Sequence, residues 1–182
     1  MKNISYYFGL LLLFSCAGFR DVDNKNAVLN KNNLGLLDGI YSNASISHAG
    51  GYVGNLTDVV DRNTRMFAFK DKYNGKDMKL QLKIINQKKL NVKIYNAGNL
   101  LADKDLRVKL ESDGFLYLKE KRFMLEGIPL VLGGLNIQKS RFTVDTKNNL
   151  QVQTNYFFCN GFMIVMSDWK TLHYHLDFEK IH

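Results

Sequence analysis

The residue types best suited to chemistry gather near the C-terminus. There His173, His175, Asp177 and Glu179 alternate with Leu172, Tyr174, Leu176 and Phe178. Residues two apart on a strand share a side and stand about 7 Å from one another. Two imidazoles and the Asp177 carboxylate so placed are a candidate metal set, which His182 could extend. The same alternation also describes the wet face of an ordinary strand, and that plainer reading is the expected one. No resident metal or cofactor is expected. Ser45-Ile46-Ser47-His48 brings hydroxyls near an imidazole, but no strand–turn–helix elbow surrounds them and no carboxylate stands ready to orient His48. The glycines of Ala49 to Gly54 lack the lysine and following helix of a phosphate loop. Asp58 and Asp61 sit in polar context and need no catalytic role. Binding, rather than catalysis, is the expectation.

The other reactive positions are the two cysteines, Cys16 and Cys159. Cys159 lies beside Phe157 and Phe158, which suits a buried, inert thiol. Cys16 stands at the end of a different kind of segment. Lys2 is followed by an apolar run from Tyr6 to Phe14 and then by small residues around the cysteine. That run is well short of the roughly 20 residues a membrane-spanning helix needs, and it suits the apolar centre of an export signal. Leu13-Phe14-Ser15-Cys16 resembles the lipobox of bacterial lipoproteins, with Leu13, Ser15 and Cys16 at the matching positions. The resemblance implies a signal peptide over 1–15, cleavage before Cys16, and acylation of Cys16. Two or more acyl chains give stable membrane anchoring. It also implies an envelope protein on a bacterial membrane, the outer membrane being the expected one, with its body in the periplasm or at the cell surface.

Ala17 to Asn33 is polar, aperiodic and rich in Asn and Lys, as expected of a flexible tether over 16–33. The remaining 34–182 is long enough for one β-rich domain with a substantial core. The chain is basic, with a formal charge of +8, and its lysines are scattered along alternating stretches. Scattered lysines suit a solvated face first and an anionic partner second. Nucleic acid is not an expected partner for an exported, tethered chain.

The body reads as strands. Leu34 to Ser42 predicts a first strand with a kink at Asp38-Gly39, and Asn43 to Asn63 a loop or short helix. Arg65 to Phe69 predicts a strand closed by Tyr73-Asn74-Gly75. Met78 to Ile84 and Leu90 to Ile94 alternate apolar with polar residues about a turn at Asn86-Gln87-Lys88, which predicts a half-buried hairpin. Leu106 to Leu110 and Phe115 to Glu120 continue the pattern after turns at Asn96-Ala97-Gly98-Asn99 and Ser112-Asp113-Gly114. Arg122 to Gly134 is nearly all apolar and broken by Gly127, Pro129 and Gly133-Gly134, which predicts a hydrophobic loop or rim at a barrel mouth. Leu135 to Thr146, Leu150 to Phe158, Gly161 to Met166 and Thr171 to Ile181 complete the strands.

Eight to ten strands joined by tight turns predict an all-β, antiparallel up-and-down meander that curls on itself, with a β-sandwich as the alternative. The pattern resembles a lipocalin-like barrel, including Gly39-Ile40-Tyr41 at the first strand. Lys79, Lys83, Lys89, Lys93 and Lys109 on the outer face argue against a barrel that spans the bilayer. Two uses follow. An open barrel would bind a lipid or another hydrophobic small molecule. A filled one would meet an envelope protein, as an inhibitor or immunity-type factor.

Overall fold

A computed structural model describes residues 19, 29–47, 51–61, 73, 75–119, 122–128, 132–162 and 165–181. The predicted strand at Arg65 to Phe69 lies outside the described residues, as do Cys16, His48 and His182.

The chain first turns inward. Leu29 is buried and its N–H bonds to Gly114 O at 3.2 Å, so packing against the body begins before Leu34. Leu34–Leu37 is a 3-10 turn, and only Gly39–Ser42 forms the first strand, β1. The single strand expected from Leu34 is corrected by the spacing of its buried leucines. Leu34 and Leu37 are three apart, which suits one side of a helical turn, and Tyr41 O–H donates to Leu37 O at 3.0 Å. A short helix, α1 (Leu56–Val60), follows. Asp58 accepts the Gly54 and Asn55 N–H groups, which opens the helix with acceptors for its otherwise orphaned donors.

The sheet is an antiparallel meander. It comprises β2 (Met78–Asn86), β3 (Lys89–Asn96), β4 (Asn99–Leu110), β5 (Leu116–Leu118), β6 (Arg122–Ile128), β7 (Leu132–Val144), β8 (Leu150–Phe162) and β9 (Val165–Phe178). The hydrogen-bonded order is β1-β2-β3-β4-β5-β7-β8-β9, with β6 also paired to β7. β5 takes Arg141 and Phe142 of β7, while β6 takes Leu132 to Gln138. The two act as one interrupted strand, so the sheet is in effect an eight-strand meander curled into a half-barrel, consistent with a lipocalin-like barrel. The chain just beyond β9 returns to β1 in an isolated bridge at Tyr41 and Lys180: Ser42 N–H bonds to Glu179 O at 2.9 Å and Ile181 N–H to Ile40 O at 2.7 Å. These bonds cover part of the β1 edge.

Turn chemistry sets the register. Ala97 and Gly98 both have positive φ, the signature of the two-residue hairpin loop whose twist matches its strands. Asp38 accepts the Ile84 N–H at 2.6 Å beside a bulge in β2. Asp145 accepts from Lys147 and Asn149 in the β7–β8 turn.

Two expectations are corrected here. Within Arg122 to Gly134 the described residues form strands and not a loop: Arg122–Ile128 pairs with Leu132–Gln138, while 129–131 lie outside the described residues. Glycines at 127, 133 and 161 fall in one cross-strand row, so a stretch that looks broken in sequence still supplies a continuous ladder. Gly161 to Met166 is no separate strand either; it contains the end of β8 and the start of β9, a strand that runs on to Phe178.

The core fills the inside of the curl. Leu80, Leu82, Leu90, Val92, Ile94 and Val108 face Phe142, Val144, Leu150, Val152, Leu176 and Phe178, with Tyr41 and the apolar side of α1 packed among them. All are buried, and burial at about 25 cal/mol per Å² of apolar surface is the main stabilising term.

Candidate functional site

The inner face of β7 and β8 changes character along its length. From Phe142 and Val144 opposite Val152 and Leu150 it passes to Ser140, Gln138 and Asn136, opposite Thr154, Tyr156 and Phe158. These polar residues are buried. Ser140 and Thr154 hydroxyls are 2.9 Å apart, and Gln138 Nε2 donates to Asp58 O of α1 at 3.1 Å. Asn136 is only 2% exposed, and its Oδ1 has no hydrogen-bond partner among the described residues; the same holds for Thr57 Oγ1 on α1. An unpaired buried polar atom costs about 1–3 kcal/mol, so each of the two calls for an explanation.

Aromatic rings cover this patch. Tyr52 stacks on Tyr156 with ring centroids 5.2 Å apart and leans on Phe158 at 5.4 Å. Its N–H bonds to the Tyr174 hydroxyl at 3.2 Å. Burial, the larger cause, pushes the Tyr174 hydroxyl above its ordinary pKa. Gly51 has a φ of +91°, and a Cβ there would come within 2.9 Å of that hydroxyl, so glycine lets the loop lie close to β9. Tyr52 itself is 49% exposed, which makes it the outward end of an aromatic and amide-lined inner surface.

The outer face of the same strands carries a second constellation, centred on Arg141. This arginine is 4% exposed. Its Nε donates to Gln153 Oε1 at 2.8 Å, and Nη1 to Asp113 Oδ2 at 2.9 Å and the Tyr117 hydroxyl at 2.7 Å. Its guanidinium carbon sits 4.1 Å from the Phe115 ring centre and 4.5 Å from that of Phe19. A delocalised, weakly hydrated cation is the side chain that tolerates such a site.

His173, His175 and Asp177 project from this outer face as the alternation predicts, but each joins the cross-strand ladder. His173 Nδ1 meets Asn155 Oδ1 at 2.7 Å, and Gln151 donates to Asp177 at 3.0 Å. His175 stands opposite Gln153. Among the described residues, no group of three or more His, Cys, Asp or Glu comes together as a metal site. Cys159 is half-buried. Ser45 and Ser47 hold the chain against β9: Ser47 Oγ accepts the Asp177 N–H at 2.9 Å, and Ser45 Oγ donates to Asp177 O at 3.1 Å. Asp61 accepts from Tyr73 and pairs with Lys104 at 3.1 Å.

Desolvation, followed by the nearby Arg141 and His173 charges, lowers the His175 pKa against an opposing pull from Asp177. The unfolded chain therefore takes up this proton first as pH falls below about 6.5. Stability should decline as pH drops from there toward the lower folded-state value and then level off. Urea midpoints across that window should show the step, and His175→Gln should flatten it.

Tyr156 and Phe158 belong to the aromatic residues that the sequence offers as lining for an open barrel, whereas Tyr52, the inner amides and Arg141 were not singled out. Asn136, Gln138 and Ser140 alternate within β7, but nothing local separates a polar residue turned inward from one turned to water.

No protein-family model, no curated protein and no solved structure matches this chain. The fold and site define its class by themselves: an all-β antiparallel meander, filled with apolar side chains over one part and lined by buried amides, hydroxyls and aromatic rings over another. No helix among the described residues is long and apolar enough to cross a membrane.

Proposed function

We propose that this is an envelope lipoprotein, anchored through acylated Cys16, whose barrel binds a hydrophobic small molecule or lipid that carries a polar head. The observation that carries the reading is the buried, unpartnered Asn136 Oδ1 beneath Tyr52, Tyr156 and Phe158. Ligand sites are mostly apolar surfaces with a few well-placed polar groups, and that combination occurs here. The rings offer faces to an apolar body. Asn136 and Thr57 offer acceptors to a hydroxyl or amine. The ligand is proposed to sit on the Tyr52 side of the barrel, away from the packed region around Phe142. No catalytic role and no nucleic-acid partner form part of the proposal.

Native mass spectrometry of the full chain, extracted from membranes in mild detergent, tests it. The expected result is an adduct of defined mass, reduced about tenfold or more in Asn136→Leu and Tyr52→Ala as a polar contact worth over a kilocalorie is lost. A bare mass in the wild-type chain would remove the small-molecule reading. Cys16→Ala should move the protein from the membrane to the soluble fraction, and continued membrane association would remove the anchor.

A second reading, an inhibitor or immunity-type factor that meets an envelope protein, is favoured by Leu100 and Leu101. These neighbours at the start of β4 are both about half exposed, at 52% and 49%. Capture of a partner that Leu100→Asp abolishes would support it.

A further inference from the structure

The polar groups on the inner face of β7 and β8 are not equivalent. The Ser140 and Thr154 hydroxyls serve each other, and the Gln138 amide donates to Asp58 O and to the Ser140 hydroxyl. Asn136 differs. It is buried, its Oδ1 has no partner, and its Nδ2 donates to no group among the described residues. A primary amide has a donor end and an acceptor end to serve, and turning it over exchanges the two without changing that need.

The surroundings limit what can meet this amide. Asn136 stands opposite Phe158, and Tyr52 lies over Phe158 and Tyr156. The Asp58 carboxylate is spent on the Gly54 and Asn55 N–H groups at the start of α1. Lys170 faces Phe158 from the far side, so it is two strands from Asn136, about 10 Å in the pairing direction, and exposed. A charged head on Asn136 would be desolvated beside the rings without a described ion-pair partner, which is costly. Charge also removes half of the match: a carboxylate only accepts and an ammonium only donates. A hydroxyl does both, giving its proton to Oδ1 and accepting from Nδ2.

We infer that this site takes a long-chain alcohol, held at Asn136 through its uncharged hydroxyl and preferred over the acid or amine of equal length. The inference rests on the proposed binding of an amphipathic small molecule and narrows its head to one group.

The test offers the full chain, in mild detergent at pH 7, equal amounts of hexadecanol, hexadecanoate and hexadecylammonium, and reads the adducts by native mass spectrometry. On the wild-type chain the alcohol adduct should exceed each of the others by about tenfold or more, the loss expected when one end of a buried amide stays unmet. Asn136→Leu should hold the three ligands within about twofold of one another, since an apolar side chain distinguishes no head. Asn136→Asp keeps the shape but only accepts, so it should turn the preference toward hexadecylammonium. A ligand-free urea titration adds an independent readout. Asn136→Leu should leave the midpoint unchanged or raised, because an amide without partners contributes nothing to the fold. A lowered midpoint would assign the amide to an internal water and overturn the inference. Equal adducts on the wild-type chain, a preference for the acid or amine, or an alcohol preference that survives in Asn136→Leu each overturn it too, while the binding reading stands. Absence of all three adducts overturns that reading and the inference together.

Discussion

Arg141→Ala should cost about 3 kcal/mol, lowering the melting temperature by about 10 °C for a domain of this size. The estimate follows from what the guanidinium does. It is buried, serves Gln153, Asp113 and Tyr117 at once, and lies against the Phe115 and Phe19 rings. Removing it leaves the buried Gln153 oxygen without its donor and opens a void between the rings. Asp113 is more than a third exposed and can rehydrate, which keeps the loss at the lower end for a broken buried pair. Arg141→Lys should recover little, because an ammonium cannot reproduce the planar fork or its stacking. Phe19→Ala should cost less than Arg141→Ala, since it removes one ring and no hydrogen bond. Urea titration of the three variants measures all of this. Wild-type stability in Arg141→Lys would show that the site needs only a positive charge.

Tyr41→Ala should be the most damaging core substitution, at about 4 kcal/mol. Tyr41 is fully buried, stands opposite Leu80 on β2, and bridges to Lys180 beyond β9. A cavity there loosens both the core and the bridge. Tyr41→Phe keeps the ring and loses only the bond to Leu37 O, so about 1 kcal/mol is expected. The comparison separates packing from polar contact. Alkali offers a further check. Burial first, and the Asp38 charge second, push the Tyr41 hydroxyl well above its ordinary pKa. The unfolded chain then loses this proton first, near pH 10. The stabilisation that comes with a protonated Tyr41 is complete below that value and is lost as pH rises toward the folded-state value. Tyr41→Phe should make alkaline unfolding less steep.

The strand ladder was legible because its causes are local. Alternation from Met78 to Ile84 and from Leu90 to Ile94 determines which side chains reach the core, and those residues pair as a hairpin with their apolar members turned inward. Asn96-Ala97-Gly98-Asn99 marks its own turn because both central residues take positive φ. Leu34 to Leu37 was less legible, since two leucines three apart within a short apolar run suit a strand or a helical turn equally. Arg122 to Gly134 misled because glycine within a strand pattern usually marks a break. Only the pairing of Gly127 with Gly133 and of Gly133 with Gly161 shows the interruptions falling in register.

For the candidate site, sequence alone determined the outward face of β9, with His173, His175 and Asp177 on one side. Tertiary structure decided the rest. Whether those histidines meet a metal or an amide depends on what β8 places opposite them, and it places Asn155 and Gln153. Whether Gln138 is wet or buried depends in part on α1, whose Asp58 O it meets and which is separated from it by scores of residues. An isolated strand has two faces of known polarity; what covers each face is a long-range event. Burial, unpaired acceptors, and the gathering of Arg141 with Phe19 and Phe115 are properties of that covering, and no local period encodes them.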